Sequence, residues 1–187
     1  MTKKTAAIFS LLILLVCTLS IPIKAEEEMP LMGPPEQISE LSWMVGTWDV
    51  DQRFRMEESD TNWIASKGVA VYTSELNGSM IKMEYTSEMM GMPFAGTMLM
   101  AFDRIAGKWQ SIWIDNMSAR MSYYEGTHEG NQTVLGGPDY NYDGSMILAR
   151  IVTFNETPDS FDWKMEMSTD NGATYWLTGE AKYTKRK

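Results

Sequence analysis

Three thioethers crowd into Met89-Met90-Gly91-Met92, and Met98 and Met100 follow on the same run. Thioether sulfur is a soft donor suited to Cu(I), so Met89, Met90 and Met92 form a candidate metal set on one loop. Methionine is also a shape-adaptable apolar residue that packs well on aromatic rings. The chain has 17 methionines beside seven tryptophans and eight tyrosines. They are spread over most of the sequence, which favours core and cavity lining over a dedicated metal site.

Other chemistry is scarce. His128 is the one histidine, and Cys17 is the one cysteine. His128 precedes Glu129-Gly130, an apparent turn, and is expected to be exposed. A haem barrel needs an axial histidine, for which His128 is the sole candidate. One histidine and one cysteine do not make a zinc site. A Ser–His–Asp arrangement has a single base available and no nucleophile-elbow pattern. No acidic pair stands apart from surface charge. The residues therefore show no catalytic group and imply no cofactor.

Two charged residues interrupt apolar strand faces. Trp109, Ser111, Trp113 and Asp115 share one face by alternation, with Ile112 and Ile114 opposite. A carboxylate among tryptophans fits a ligand site with a few converging polar groups, with Arg120 nearby to compensate its burial. It also fits a hairpin turn in which Asp115 caps its own backbone. Arg150 shares a face with Met146, Leu148 and Val152, where it meets either a cavity anion or a carboxylate of the next strand.

The elements that carry these residues have period two. From Gly46, Trp48, Val50, Gln52, Phe54 and Met56 alternate with charged residues. Further strands are predicted over 63–76, 79–88, 95–104, 108–116, 119–128, 132–135, 146–154, 160–168 and 174–184, separated by Gly-, Asn- and Pro-rich breaks. Gly91, Pro93 and Gly96 make 89–96 a loop or bulge entering its strand. A helical turn is expected around Pro35–Trp43. This pattern predicts an all-β fold: a single antiparallel meander closed into a barrel of about eight to ten strands. Such a barrel is either packed or holds one small ligand. Tyr85, Met98, Met100, Phe102 and Trp113 are the predicted lining, with Asp115 and Arg150 as polar groups.

The N-terminus has the parts of a secretory signal: Lys3 and Lys4, an apolar run, and Ile23-Lys24-Ala25 before Glu26. Residues 1–25 are expected to be cleaved, with 26–37 an acidic, Pro-rich lead-in and 38–187 the barrel domain. The secreted or periplasmic chain would then have no cysteine and no stable membrane insertion. The net charge of −9 becomes more negative once Lys3, Lys4 and Lys24 leave. That charge opposes nucleic acid and anionic membranes as partners.

The pieces LSWMVGTWDV, GMPFAGTMLMAFDRIAGKW, IWIDNMS and EAKYTKR together resemble a bacterial secreted family, domain of unknown function 1579, over residues 38–186. The resemblance implies a lipocalin-like barrel in which Trp48 of Gly46-Thr47-Trp48 closes one end. It supplies no catalytic residues. The resulting expectation is a non-enzymatic barrel that binds a small apolar or amphipathic molecule. The alternatives are a Cu(I) protein and a fully packed structural or interaction domain.

Overall fold

The structure, a computed structural model, describes residues 33–141 and 143–187. The signal, and the lead-in up to residue 32, lie outside the described residues. The chain starts with a 3-10 helix over Glu36–Met44, the helical turn anticipated from Pro35. Ten strands follow: β1 Gly46–Phe54, β2 Ile64–Glu75, β3 Met80–Met89, β4 Met92–Asp103, β5 Lys108–Asp115, β6 Ser122–Glu129, β7 Gln132–Tyr140, β8 Met146–Phe154, β9 Ser160–Ser168 and β10 Trp176–Lys185. Each pairs antiparallel with its sequence neighbours, and β1 pairs with β10 to close the barrel. Closure leaves no unpaired edge, which is the reason a meander of short strands is stable alone.

Alternation sets the inside and the outside. Trp48, Val50, Ala70, Tyr72, Ile81, Met83, Tyr85 and Met100 point in and are buried. The outer face carries cross-strand ion pairs such as Arg53–Glu180, Lys108–Glu125 and Lys182–Asp162.

The helix and an aromatic cluster close the end where β1 begins. Trp48 is fully buried and donates its indole N–H to the Met44 carbonyl at 2.7 Å. Trp43 and Phe161 meet its ring edge-on at 5.8 and 5.1 Å, and Tyr183 stacks on Phe161 at 4.3 Å. Lys185 Nζ donates to the Trp43 carbonyl at 2.6 Å and lies 5.2 Å over the Trp48 ring. Ile38, Leu41 and Met44 complete this floor from the helix. Trp48 is thus a plug, as its place after Gly46-Thr47 implied.

Two strands run three or more residues further than the sequence suggested. β4 starts at Met92 rather than Ala95, because the β3–β4 turn needs only Met90 (φ 51°) and Gly91 (φ 77°). β7 continues from Leu135 through Gly136-Gly137-Pro138 to Tyr140. Those residues read as breakers, yet the glycines serve a close approach. A Cβ on Gly137 would sit 2.4 Å from the Tyr123 carbonyl oxygen.

Replacing Trp48 with alanine removes the largest fully buried side chain of the floor. The expected loss is about 3–5 kcal/mol in denaturant unfolding, against no more than about 0.5 kcal/mol for fully exposed Ile105→Ala.

Candidate functional site

The barrel interior divides into halves. Near the closed end Phe102 packs on Trp109 at 5.7 Å, and Met100, Ile81, Tyr72 and Phe161 fill the section. Toward the other end a cavity of about 830 Å³ opens. Strand direction puts its mouth among the β1–β2, β3–β4, β5–β6, β7–β8 and β9–β10 connections. Its body is apolar, with Met83, Met98, Leu135, Ile147, Ile151 and Met165 among the wall residues.

Glycines keep this half open. The Trp113 ring crosses β4 at Gly96, where a Cβ would lie 2.2 Å from the indole. The Tyr85 ring lies against Gly68 of β2 with the same 2.2 Å clearance to its hydroxyl. Phe94 stacks on Trp113 at 6.4 Å and meets Tyr85 edge-on at 6.0 Å. Flat against the wall, these aromatic rings line the space instead of filling it.

The predicted lining is partly relocated. Tyr85, Met98, Trp113 and Asp115 line the cavity. Met100 and Phe102 point inward, but sit lower on β4, in the packed half. Arg150 is on the outer face of β8. It donates from Nε to Glu166 at 2.7 Å, with its guanidinium 4.2 Å over Tyr175, so it does not reach the cavity. Its face-mates Met146, Leu148 and Val152 suggested an inner face, whereas the inner residues are Ile147, Ala149 and Ile151. The thioether trio is divided. Met89 lines the cavity, while Met90 and Met92 are more than half exposed at the hairpin tip.

Asp115 has both roles that its position suggested. One carboxylate oxygen accepts the amides of Met117 and Ser118 at 2.9 and 2.7 Å, capping the β5–β6 turn. The other accepts the Trp113 indole N–H at 2.9 Å and so fixes the ring across Gly96.

A second polar cluster escaped the sequence reading. Asp139 is buried on the wall and accepts from Arg120, from the Tyr124 hydroxyl at 2.6 Å, from Ser122 at 3.3 Å and from the Tyr140 amide at 2.8 Å. Tyr124 and Ser122 lie on the predicted strand 119–128, whose faces were not assigned. Asp139 was missed because β7 was expected to end at Leu135 and runs to Tyr140. The exposure expected of His128 is also corrected: β6 runs through Glu129 and turns the imidazole inward, leaving its side chain 8% exposed. Its Nδ1 lies 3.0 Å from Thr133 Oγ1 and 3.5 Å from a Glu156 carboxylate oxygen, in the packed half. His128 is not among the cavity residues, so the one candidate axial ligand for haem lies outside that space.

The family model described as "Protein of unknown function (DUF1579)" matches residues 34–185, and the chain belongs to that family. No curated protein matches the sequence significantly. The crystal structure of Rv2717c from M. tuberculosis is similar, with a TM-score of 0.60 at 12% identity over 82% of this chain and 99% of that one. A redesigned β-barrel, b11L5F_LGL, aligns at TM-score 0.44 and 9% identity over 78% and 94%. At such identity the first likeness concerns the fold alone.

Burial raises the phenols of Tyr72, Tyr85, Tyr124 and Tyr183 above the ordinary tyrosine range, and the Asp139 carboxylate adds to the effect at Tyr124. A raised folded-state value favours the neutral form, so this stabilisation is complete below about pH 10 and is lost as pH climbs further. An ultraviolet tyrosinate titration should show these four phenols ionising only as the barrel unfolds. Ordinary titration of all the tyrosines with the fold intact would contradict the burial described.

Proposed function

We propose that this barrel is a non-enzymatic receptor for one small apolar or amphipathic molecule, taken up in the open half. The single observation behind this is the cavity of about 830 Å³, within the range of about 300–1,000 Å³ typical of small-molecule sites. A domain built only for stability would fill that space, since each void forfeits dispersion contacts. Glycine at 68 and 96 instead allows Tyr85 and Trp113 to lie back from the centre.

The lining supports an apolar guest. Methionine and aromatic side chains dominate, and thioethers adapt to irregular shapes. Around the mouth Met56, Met90, Met92, Met117, Met121 and Met146 are 40–71% exposed, a collar of flexible apolar groups. On the wall Arg120, Ser122, Tyr124 and Asp139 are engaged with each other, which favours orientation of a guest over acid–base chemistry on it. The leader-like residues 1–25 place the receptor outside the cytoplasm in this reading. N-terminal sequencing of the protein from its source cells should therefore begin at Glu26, and a chain retaining Met1 would contradict that placement.

A neutral, environment-sensitive apolar dye tests the receptor reading. It should bind saturably at one site with blue-shifted emission, and Ile151→Trp, which fills the cavity from β8, should weaken it at least tenfold. Absence of saturable binding, or equal binding by Ile151→Trp, would overturn the proposal.

A further inference from the structure

The charges around the mouth do not cancel evenly. Arg120 is paired with Asp139, and Arg53 with Glu180. Two charged cavity residues are left, Arg55 and Asp115. Arg55 directly follows β1 and Asp115 ends β5, which lie on roughly opposite sides of a ten-strand ring.

Arg55 is held in an unusual way for an acidic chain. Its Nε donates to the Leu177 carbonyl at 2.8 Å, and one terminal nitrogen donates to the carbonyls of Glu58 and Asp60 at 2.9 and 3.2 Å. Its backbone N–H donates to the Thr178 carbonyl at 2.8 Å, beside the irregularity in β10 between Leu177 and Gly179. The guanidinium lies 5.3 Å from the Trp63 ring and 5.4 Å from the Trp176 ring. Asp60, one of the two acidic residues in these contacts, directs its carboxylate to the amides of Met56 and Glu57. Among the described residues Arg55 has no carboxylate partner, and its second terminal nitrogen has no acceptor. Carbonyls and indoles fix the group without neutralising it, so the full charge is presented at the rim with little reorganisation on binding.

We propose that the ligand is an amphipathic monoanion whose carboxylate-like head sits on Arg55 at the rim while its apolar body lies in the cavity below. The inference rests on the receptor reading and adds the charge and direction of the guest. Asp115 supports the same polarity, because it disfavours an anionic head on the opposite side. Trp176, which also lines the cavity, joins the rim cation to the apolar body. The chemistry required is a single acid group on a hydrocarbon or other apolar frame.

Displacement of the neutral dye by three matched probes tests this: a medium-chain alkyl carboxylate, the corresponding primary alcohol and the corresponding alkyltrimethylammonium. The carboxylate should displace the dye at a concentration at least tenfold below that of the alcohol, with the ammonium weakest. Its advantage should shrink as salt rises, whereas the alcohol stays constant. Arg55→Gln, which removes the charge but keeps a polar side chain with N–H donors, should bring the carboxylate to the level of the alcohol and leave the dye and alcohol unchanged. Arg150→Gln, on the outer face, should change nothing. Equal displacement by carboxylate and alcohol in the unaltered protein overturns the anion assignment while leaving the receptor standing. The same holds if the acid preference survives Arg55→Gln, or if it is insensitive to salt. If the dye itself does not bind, both fall.

Discussion

The β1–β10 ladder is the constraint from which everything else follows. Trp48 is opposite Lys185 and Phe54 opposite Gly179, so seven residues of β1 have partners from the far end of the chain. Every other strand pair joins sequence neighbours through a short connection. This one joins the first strand to the last and converts a twisted sheet into a container. The same ladder brings Lys185 to the carbonyl of Trp43 and over the ring of Trp48. Closing the wall and sealing the floor are therefore one event.

Along the axis the interior is solved in two ways. Near the floor, large side chains face one another and interlock, as Trp48, Phe161 and Tyr183 do. Near the mouth, large side chains face glycines and lie down. The Trp113–Gly96 and Tyr85–Gly68 contacts are the instance. Aromatic residues thus fill one half and spare the other, according to what stands on the neighbouring strand. The indole of Trp113 is further pinned by Asp115, whose second oxygen caps the adjoining turn. One carboxylate ties the shape of a loop to the shape of the cavity.

The fold was largely readable from period two. The ten strands follow from alternation and turn residues, and the plug at Trp48 is what the family resemblance implied. The cavity was only half readable. Parity identifies an inward face but not height along the axis, so Met98 and Met100 looked equivalent although one lines space and the other fills it. On β8 both faces are apolar, so alternation left Arg150 between a cavity anion and a carboxylate of the next strand, and the structure shows the second, Glu166 of β9. Asp139 was hidden because Gly136-Gly137-Pro138 resembles a turn until the approach of Tyr123 to Gly137 is seen. Arg55 was expected to continue the first strand, whereas β1 ends at Phe54, and its lack of a carboxylate partner is a three-dimensional fact. The methionines of residues 89–100 are likewise not one feature: a hairpin tip, a cavity wall and a packed core share them.

The central claim is that the open half of the barrel is a preformed space for a guest. A crystal structure with a medium-chain alkyl carboxylate tests it most directly. The account predicts the alkyl chain between Met98, Ile151 and Met165, with the rings of Trp113 and Tyr85 still flat on Gly96 and Gly68 and the acid group at Arg55. A structure in which those two rings have swung inward and closed the space, with no guest inside, would contradict it.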